Sequence, residues 1–266
     1  MEAKNKMISG KANKFNAKAQ ITIFVILGLI IIVAIVGVFM LMNSTSQQEA
    51  EAVKNPQSYM EKCVGDSMTK AESIIISGNL FPNMTENYML YYGEKVKFLC
   101  KSLQFYVPCV NQEPTLIESL RKDIEKRVKP DAEKCFADLR AILEDAGYDV
   151  VESDFSGKDF ILFEKGAIAA DMNKSMKITK GENTRFFEKF TARVQSPLYR
   201  LLDTTRQIVN YESTLCEFST MDWMKFNRDI SVKKFVASDQ SKVYTVEDRI
   251  SGKSITFAVK TCALPG

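Results

Sequence analysis

A run from Ile21 to Met42 is apolar but for Thr22, and no later part of the chain repeats it. Sixteen of these 22 residues are Ile, Leu, Val or Phe, and none is charged. As a helix the run measures about 33 Å, enough for a hydrocarbon core of roughly 30 Å. It predicts a transmembrane helix over 21–42 that contacts the lipid bilayer. A cleaved secretory signal has a shorter apolar core and a small-residue cleavage site, which Ser44-Thr45-Ser46 supplies poorly.

Past a polar linker at 43–54 the pattern becomes amphipathic. Asn55-Pro56 reads as a helix start, with Asn as cap and Pro in the first turn. Met60, Cys63, Val64, Met68, Ala71, Ile74 and Ile75 follow at spacings of three and four, and Gly78 suits the C-terminal cap. The segment 79–112 is aromatic and irregular, and reads as core filling beneath a disulfide loop. Pro114 opens a second helical stretch carrying Leu116, Leu120, Ile124 and Val128; Pro130 breaks or kinks it, and Cys135, Phe136 and Leu139 continue to Gly147.

Short runs at 148–152, 158–163, 167–172 and 175–179 read as strands, separated by Ser156-Gly157 and Lys165-Gly166 turns. A third helix is expected over 182–215, kinked at Pro197, and three closing strands over 231–236, 242–248 and 254–260. The expected fold is α+β: an N-terminal transmembrane helix, then an ectodomain at 55–266 of long amphipathic helices on small antiparallel sheets, with a sub-boundary near 148.

Charge adds orientation. Residues 1–20 hold five lysines against Glu2, whereas Asn43 to Glu51 contain no Lys or Arg. The basic tail is therefore expected in the cytoplasm and the C-terminal bulk outside it, at the cell membrane. Beyond the span 31 basic side chains meet 32 acidic ones, so the net balance offers no basic field for nucleic acid.

Histidine is absent. That closes Ser-His-Asp and Cys-His catalysis and every His-ligated metal site. Ser67-Met68-Thr69-Lys70 has the spacing of a Ser-Lys nucleophile, but the same spacing recurs at Ser119/Lys122 and Ser231/Lys234 and the companion motifs are missing. No catalytic residue, cofactor or metal is expected.

Six cysteines, Cys63, Cys100, Cys109, Cys135, Cys216 and Cys262, all follow the apolar run. An even number outside the cytoplasm suggests three disulfides, for which fifteen pairings exist. The preferred one joins Cys100 to Cys109 across a hairpin-like loop, Cys63 to Cys135 between two helix stripes, and Cys216 to Cys262. Sequons occur at Asn43, Asn83 and Asn173, the latter two being candidate glycosylation sites.

Lys18-Ala19-Gln20-Ile21-Thr22-Ile23-Phe24, leading into the apolar run, resembles the type IV pilin-like signal of archaeal surface proteins. That resemblance implies processing between Ala19 and Gln20. The chain departs from the pilin pattern at Phe24, where pilins usually carry the Glu that sets subunit register. More broadly it resembles single-span surface proteins of small-genome archaea, a likeness that brings no activity with it. The expected role is a membrane-anchored extracytoplasmic protein that supports or binds an envelope protein or glycan, without catalysis. The alternatives are a processed pilin-like subunit assembled through its apolar helix, and an envelope hydrolase working without histidine.

Overall fold

A computed structural model describes residues 26–37, 49–102, 104, 107–155 and 160–262. The chain divides into two units, Met1–Ala50 and Glu51–Gly266.

In the first unit residues 26–37 are helical. Twelve residues rise only about 18 Å, short of a ~30 Å hydrocarbon core. Among the described residues no helix is long and apolar enough to cross a membrane. The expected transmembrane helix is corrected to that extent: the described fold is α+β, with no spanning helix among the described residues. The rest of the run from Ile21 to Met42, the tail at 1–20 with Ala19 and Gln20, and the sequon at Asn43 lie outside the described residues.

In the second unit α1, Pro56–Ser77, is capped by Asn55, whose side chain accepts from Ser58 N. Met60, Val64, Met68, Ala71 and Ile75 are buried along its stripe. Gly78 ends it at negative φ, so its role is not left-handed freedom. A Cβ there would lie 2.6 Å from Pro82 Cα, and only glycine admits that chain reversal. The second helix, α2, Leu116–Asp145, continues through Pro130 rather than breaking. One backbone bond is lost, but Ile124, Val128, Ala132 and Phe136 stay buried on both sides of it.

Six strands form the larger sheet, in the order β1 (Tyr88–Tyr91), β2 (Glu94–Lys101), β12 (Ser254–Lys260), β11 (Lys242–Asp248) and β10 (Ile230–Val236), with β3 (Val110–Asn111) on β2. Its β12–β2 pairing is parallel, against the expected all-antiparallel sheets. Two three-stranded sheets complete the fold: β4 (Asp149–Glu152), β7 (Met176–Lys180) and β8 (Asn183–Phe187); and β5 (Ile161–Glu164), β6 (Ala167–Met172) and β9 (Phe190–Gln195). α1 packs on α2 and on β9.

Two sequence expectations fail here. Segment 79–112 is not irregular: β1 and β2 form a hairpin whose turn, Tyr92 and Gly93, has positive φ at both residues. The helix expected over 182–215 is instead β8, β9 and then α3, Leu198–Leu215, with Pro197 at its start rather than at a kink. A short helix that the sequence reading lacked, α4, Thr220–Phe226, follows.

Three disulfides pin this unit: Cys63–Cys135 between α1 and α2, Cys100–Cys109 from β2 to the start of β3, and Cys216–Cys262 from the end of α3 to the end of β12. These are the pairs preferred from the sequence.

Candidate binding cleft

Where β9 leads into α3, Ser196 Oγ accepts from Leu198 N at 3.1 Å and donates to Glu72 Oε1 at 2.5 Å. The Glu72 carboxylate is buried, and its other oxygen accepts from Lys253 Nζ at 2.7 Å. This bridge ties α1, α3 and the β11–β12 turn together, and it sets the start of α3 against the sheet.

Arg200, one turn into α3, then meets Asp248 at the end of β11. Its Nη2 lies 2.6 Å from Asp248 Oδ1, while Asp248 Oδ2 accepts from Ser251 N at 2.9 Å and Ser251 Oγ at 2.7 Å. Asp248 is fully buried, so a charge partner is mandatory there. Arg200 Nε has no hydrogen-bond partner among the described residues.

Arg200 lines two grooves. One, of about 430 Å³, runs past Lys165, Ser196 and Lys253. The other, of about 610 Å³, is bounded by Tyr199, Gln207, Trp223, Phe226, Arg228 and Asp229. The wall of the larger groove is α4. Its first turn is held by Ser219 Oγ donating to Asp222 Oδ2 at 2.7 Å and Lys225 Nζ donating to Asp222 Oδ1 at 2.7 Å. Hydrogen bonds from Lys225 and Ser219 keep the Asp222 carboxyl below its ordinary pKa. Trp223 Nε1 donates to Gln207 Oε1 at 3.0 Å, and Gln207 Nε2 to Asp203 Oδ2 at 2.8 Å, so the indole is fixed to α3. Phe226 projects outward, 88% exposed. Arg228 and Lys165 have no ion-pair or hydrogen-bond partner among the described residues.

The residues singled out from the sequence lie elsewhere. Ser67 Oγ donates to Asp131 Oδ2 at 2.5 Å while Lys70 is exposed, so the Ser-Lys spacing assembles no nucleophile. Ser119 Oγ faces Thr115 Oγ1, and Lys122 pairs with Glu118. Ser231 and Lys234 are three apart on a strand and so point to opposite faces, with Lys234 on Glu217. Asn83 and Asn173 are both exposed, on the turn after α1 and between β6 and β7. No group of Cys, Asp or Glu among the described residues is arranged to hold a metal ion.

Arg200, Trp223, Phe226 and Arg228 escaped the sequence reading. The signal was present in Met221-Asp222-Trp223-Met224-Lys225-Phe226-Asn227-Arg228, where the chain's single Trp stands among cations and apolar residues.

Comparison with family models, with curated proteins and with solved structures finds no match to this chain.

Proposed function

We propose that this chain is an extracytoplasmic protein of the cell envelope that binds another envelope protein through the larger groove beside Arg200, and that its role is binding rather than catalysis. One observation carries the reading: the larger groove is lined by Phe226, whose ring is bare, and by Arg228, which is unpaired among the described residues. Aromatic and Arg side chains dominate the energetics of protein interfaces, and an exposed Phe at the end of α4 with an exposed Arg in the turn just after it is a ready anchor. Of the four cations that line this groove, Arg200 and Lys225 are paired with Asp248 and Asp222, and Lys165 and Arg228 are left without an ion-pair partner among the described residues. The complementary surface is therefore acidic around an apolar side chain. The three disulfides support an oxidising compartment outside the cytoplasm.

Chemical crosslinking in intact envelopes tests this reading. The wild-type protein should yield one defined, protease-sensitive adduct, and Arg228→Glu should lose it through like-charge repulsion. Recovery of the free monomer alone from wild type, or an adduct indifferent to Arg228→Glu, overturns the proposal.

A further inference from the structure

We infer that Asn83 is an N-glycan acceptor and that Asn173, despite an equally complete sequon, is not. The inference rests on the extracytoplasmic reading above and adds a modification site to it. Three observations separate the two asparagines.

Accessibility of the reacting groups comes first. Asn83 and Thr85 are both exposed, and neither side chain has a hydrogen-bond partner among the described residues. The Asn83 amide and the Thr85 hydroxyl, the two groups a transferase must engage, are therefore free. Asn173 is exposed but already has a partner of its own.

The backbone gives the second contrast. A sequon must bend into the enzyme's groove, so its peptide groups must be free to leave their present bonds. Ser175, which completes the Asn173 sequon, donates its N–H to Ser153 Oγ at 2.9 Å and accepts from Ser153 N at 3.0 Å, on a link of three residues between β6 and β7. Lys174 N is also bonded, to Met172 O at 2.8 Å. Around Asn83 the only such tie among the described residues is Lys95 Nζ to Met84 O at 3.2 Å, a contact from a long flexible side chain.

Third, the turn carrying Asn83 is anchored at its base and open at its tip. Asn79 Oδ1 accepts from Thr256 N at 3.1 Å, Leu80 is buried, and Lys97 sits over the Phe81 ring at 3.8 Å. A groove of about 380 Å³ runs beside Asn83 toward Ser119, Asp123 and Arg127 of α2. It gives the first sugar space and polar partners without displacing core residues.

The chemistry is a transfer from a polyisoprenoid-phosphate-linked oligosaccharide. Asn83 Nδ2 forms a bond to the anomeric carbon and gives up one proton to a base. The bond from that carbon to the phosphate oxygen breaks, and the lipid phosphate leaves with the electron pair.

Glycopeptide mass spectrometry of the full chain isolated from its native envelope tests the assignment, alongside a non-reduced map of its cysteine peptides. The Asn83 peptide should carry a glycan, the Asn173 peptide should run at its unmodified mass, and Asn83→Gln should remove the added mass that Asn173→Gln leaves. Thr85→Ala, which keeps the asparagine, should also abolish it. An unmodified Asn83 peptide, or a glycan on Asn173, overturns the inference. The cysteine map separates the two readings: disulfides with no glycan on Asn83 leave the extracytoplasmic reading standing, whereas reduced thiols throughout overturn both.

Discussion

Lys242 Nζ lies 2.9 Å from Glu212 Oε2 and 3.1 Å from Oε1, joining the start of β11 to α3 through a pair that water scarcely reaches. The same ammonium donates to Cys216 O at 2.7 Å, satisfying a carbonyl that the end of α3 leaves without an intrahelical partner. Tyr244 donates its hydroxyl to Glu212, and Thr261 Oγ1 donates to Glu212 O at 3.0 Å. Burial, reinforced by the Glu212 charge and hydrogen bond, holds the Tyr244 hydroxyl protonated, far above its ordinary pKa. Removing one member of such a pair strands the other in a dry site. Lys242→Met is therefore expected to cost about 3–5 kcal/mol in urea unfolding, and Glu212→Leu combined with Lys242→Met markedly less than that. A double variant as unstable as Lys242→Met would refute the stranded-charge explanation.

Acid should loosen the same corner. Burial opposes ionisation of Glu217, but hydrogen bonds and charge from Lys234 and Lys242 outweigh it and hold its pKa below the ordinary 4.5. A depressed carboxylate contributes stability above its unfolded pKa and loses it as pH falls through the folded value. Thermal unfolding should accordingly change little from pH 7 to about 5 and lose stability below about 4.5. Glu118, held at about 2 chiefly by its hydrogen bond from Arg121, extends the window downward. Glu217→Gln should flatten the slope; an unchanged slope would point to other carboxylates.

Loop length ranks the disulfides. The bridged residues are 72, 46 and 9 apart for Cys63–Cys135, Cys216–Cys262 and Cys100–Cys109. Chain entropy then gives roughly 4.4, 4.0 and 2.6 kcal/mol. Paired Cys→Ala variants measured by chemical denaturation should follow that order. A Cys100/Cys109 variant that is the least stable of the three contradicts the entropic ranking.

Gly78→Ala should destabilise by about 1–3 kcal/mol, because the new methyl meets Pro82 backbone rather than a side chain that can swing aside. Differential scanning calorimetry reads this directly, and a neutral effect would mean that the turn after α1 shifts freely.

The proposed interface residues should behave in the opposite way. Phe226 is 88% exposed and Arg228 has no partner among the described residues, so Phe226→Ala and Arg228→Glu should leave the unfolding temperature within about 1–2 °C. Only crosslinking yield should fall. A large thermal loss would show that these side chains serve the fold.

The long helices were legible because their apolar spacing extends over several turns and their ends carry Asn55, Pro56, Gly78 and Gly147. The span 182–197 was misread because Phe187, Phe190 and Val194 also fall at helical spacing, while the Gly181-Glu182 turn, with φ +60 at Gly181, went unweighted. In β9 the residues that matter alternate, Phe190 and Ala192 facing the core, and period two is hard to see over six residues. The β1–β2 hairpin hid behind a Tyr92-Gly93 turn, since Tyr rarely takes positive φ. The groove beside Arg200 was illegible for another reason. Arg200, Trp223 and Asp248 converge only through tertiary packing, and none carries a local motif. The membrane-spanning expectation rested on the length and apolarity of the run at 21–42, of which only 26–37 fall within the described residues, and no helix among those is long and apolar enough to cross a membrane.

Because β12 is inserted between β2 and β11, an early strand has no permanent neighbour on that side until the chain has been made through Lys260. Assembly of the larger sheet is thus a late event that cannot proceed vectorially with synthesis. Until it happens, the inner edges of β2 and β11 are open templates for wrong pairing. A nascent chain stalled before Ser254 should accordingly depend on chaperones and be quick to aggregate, whatever the soundness of its helices.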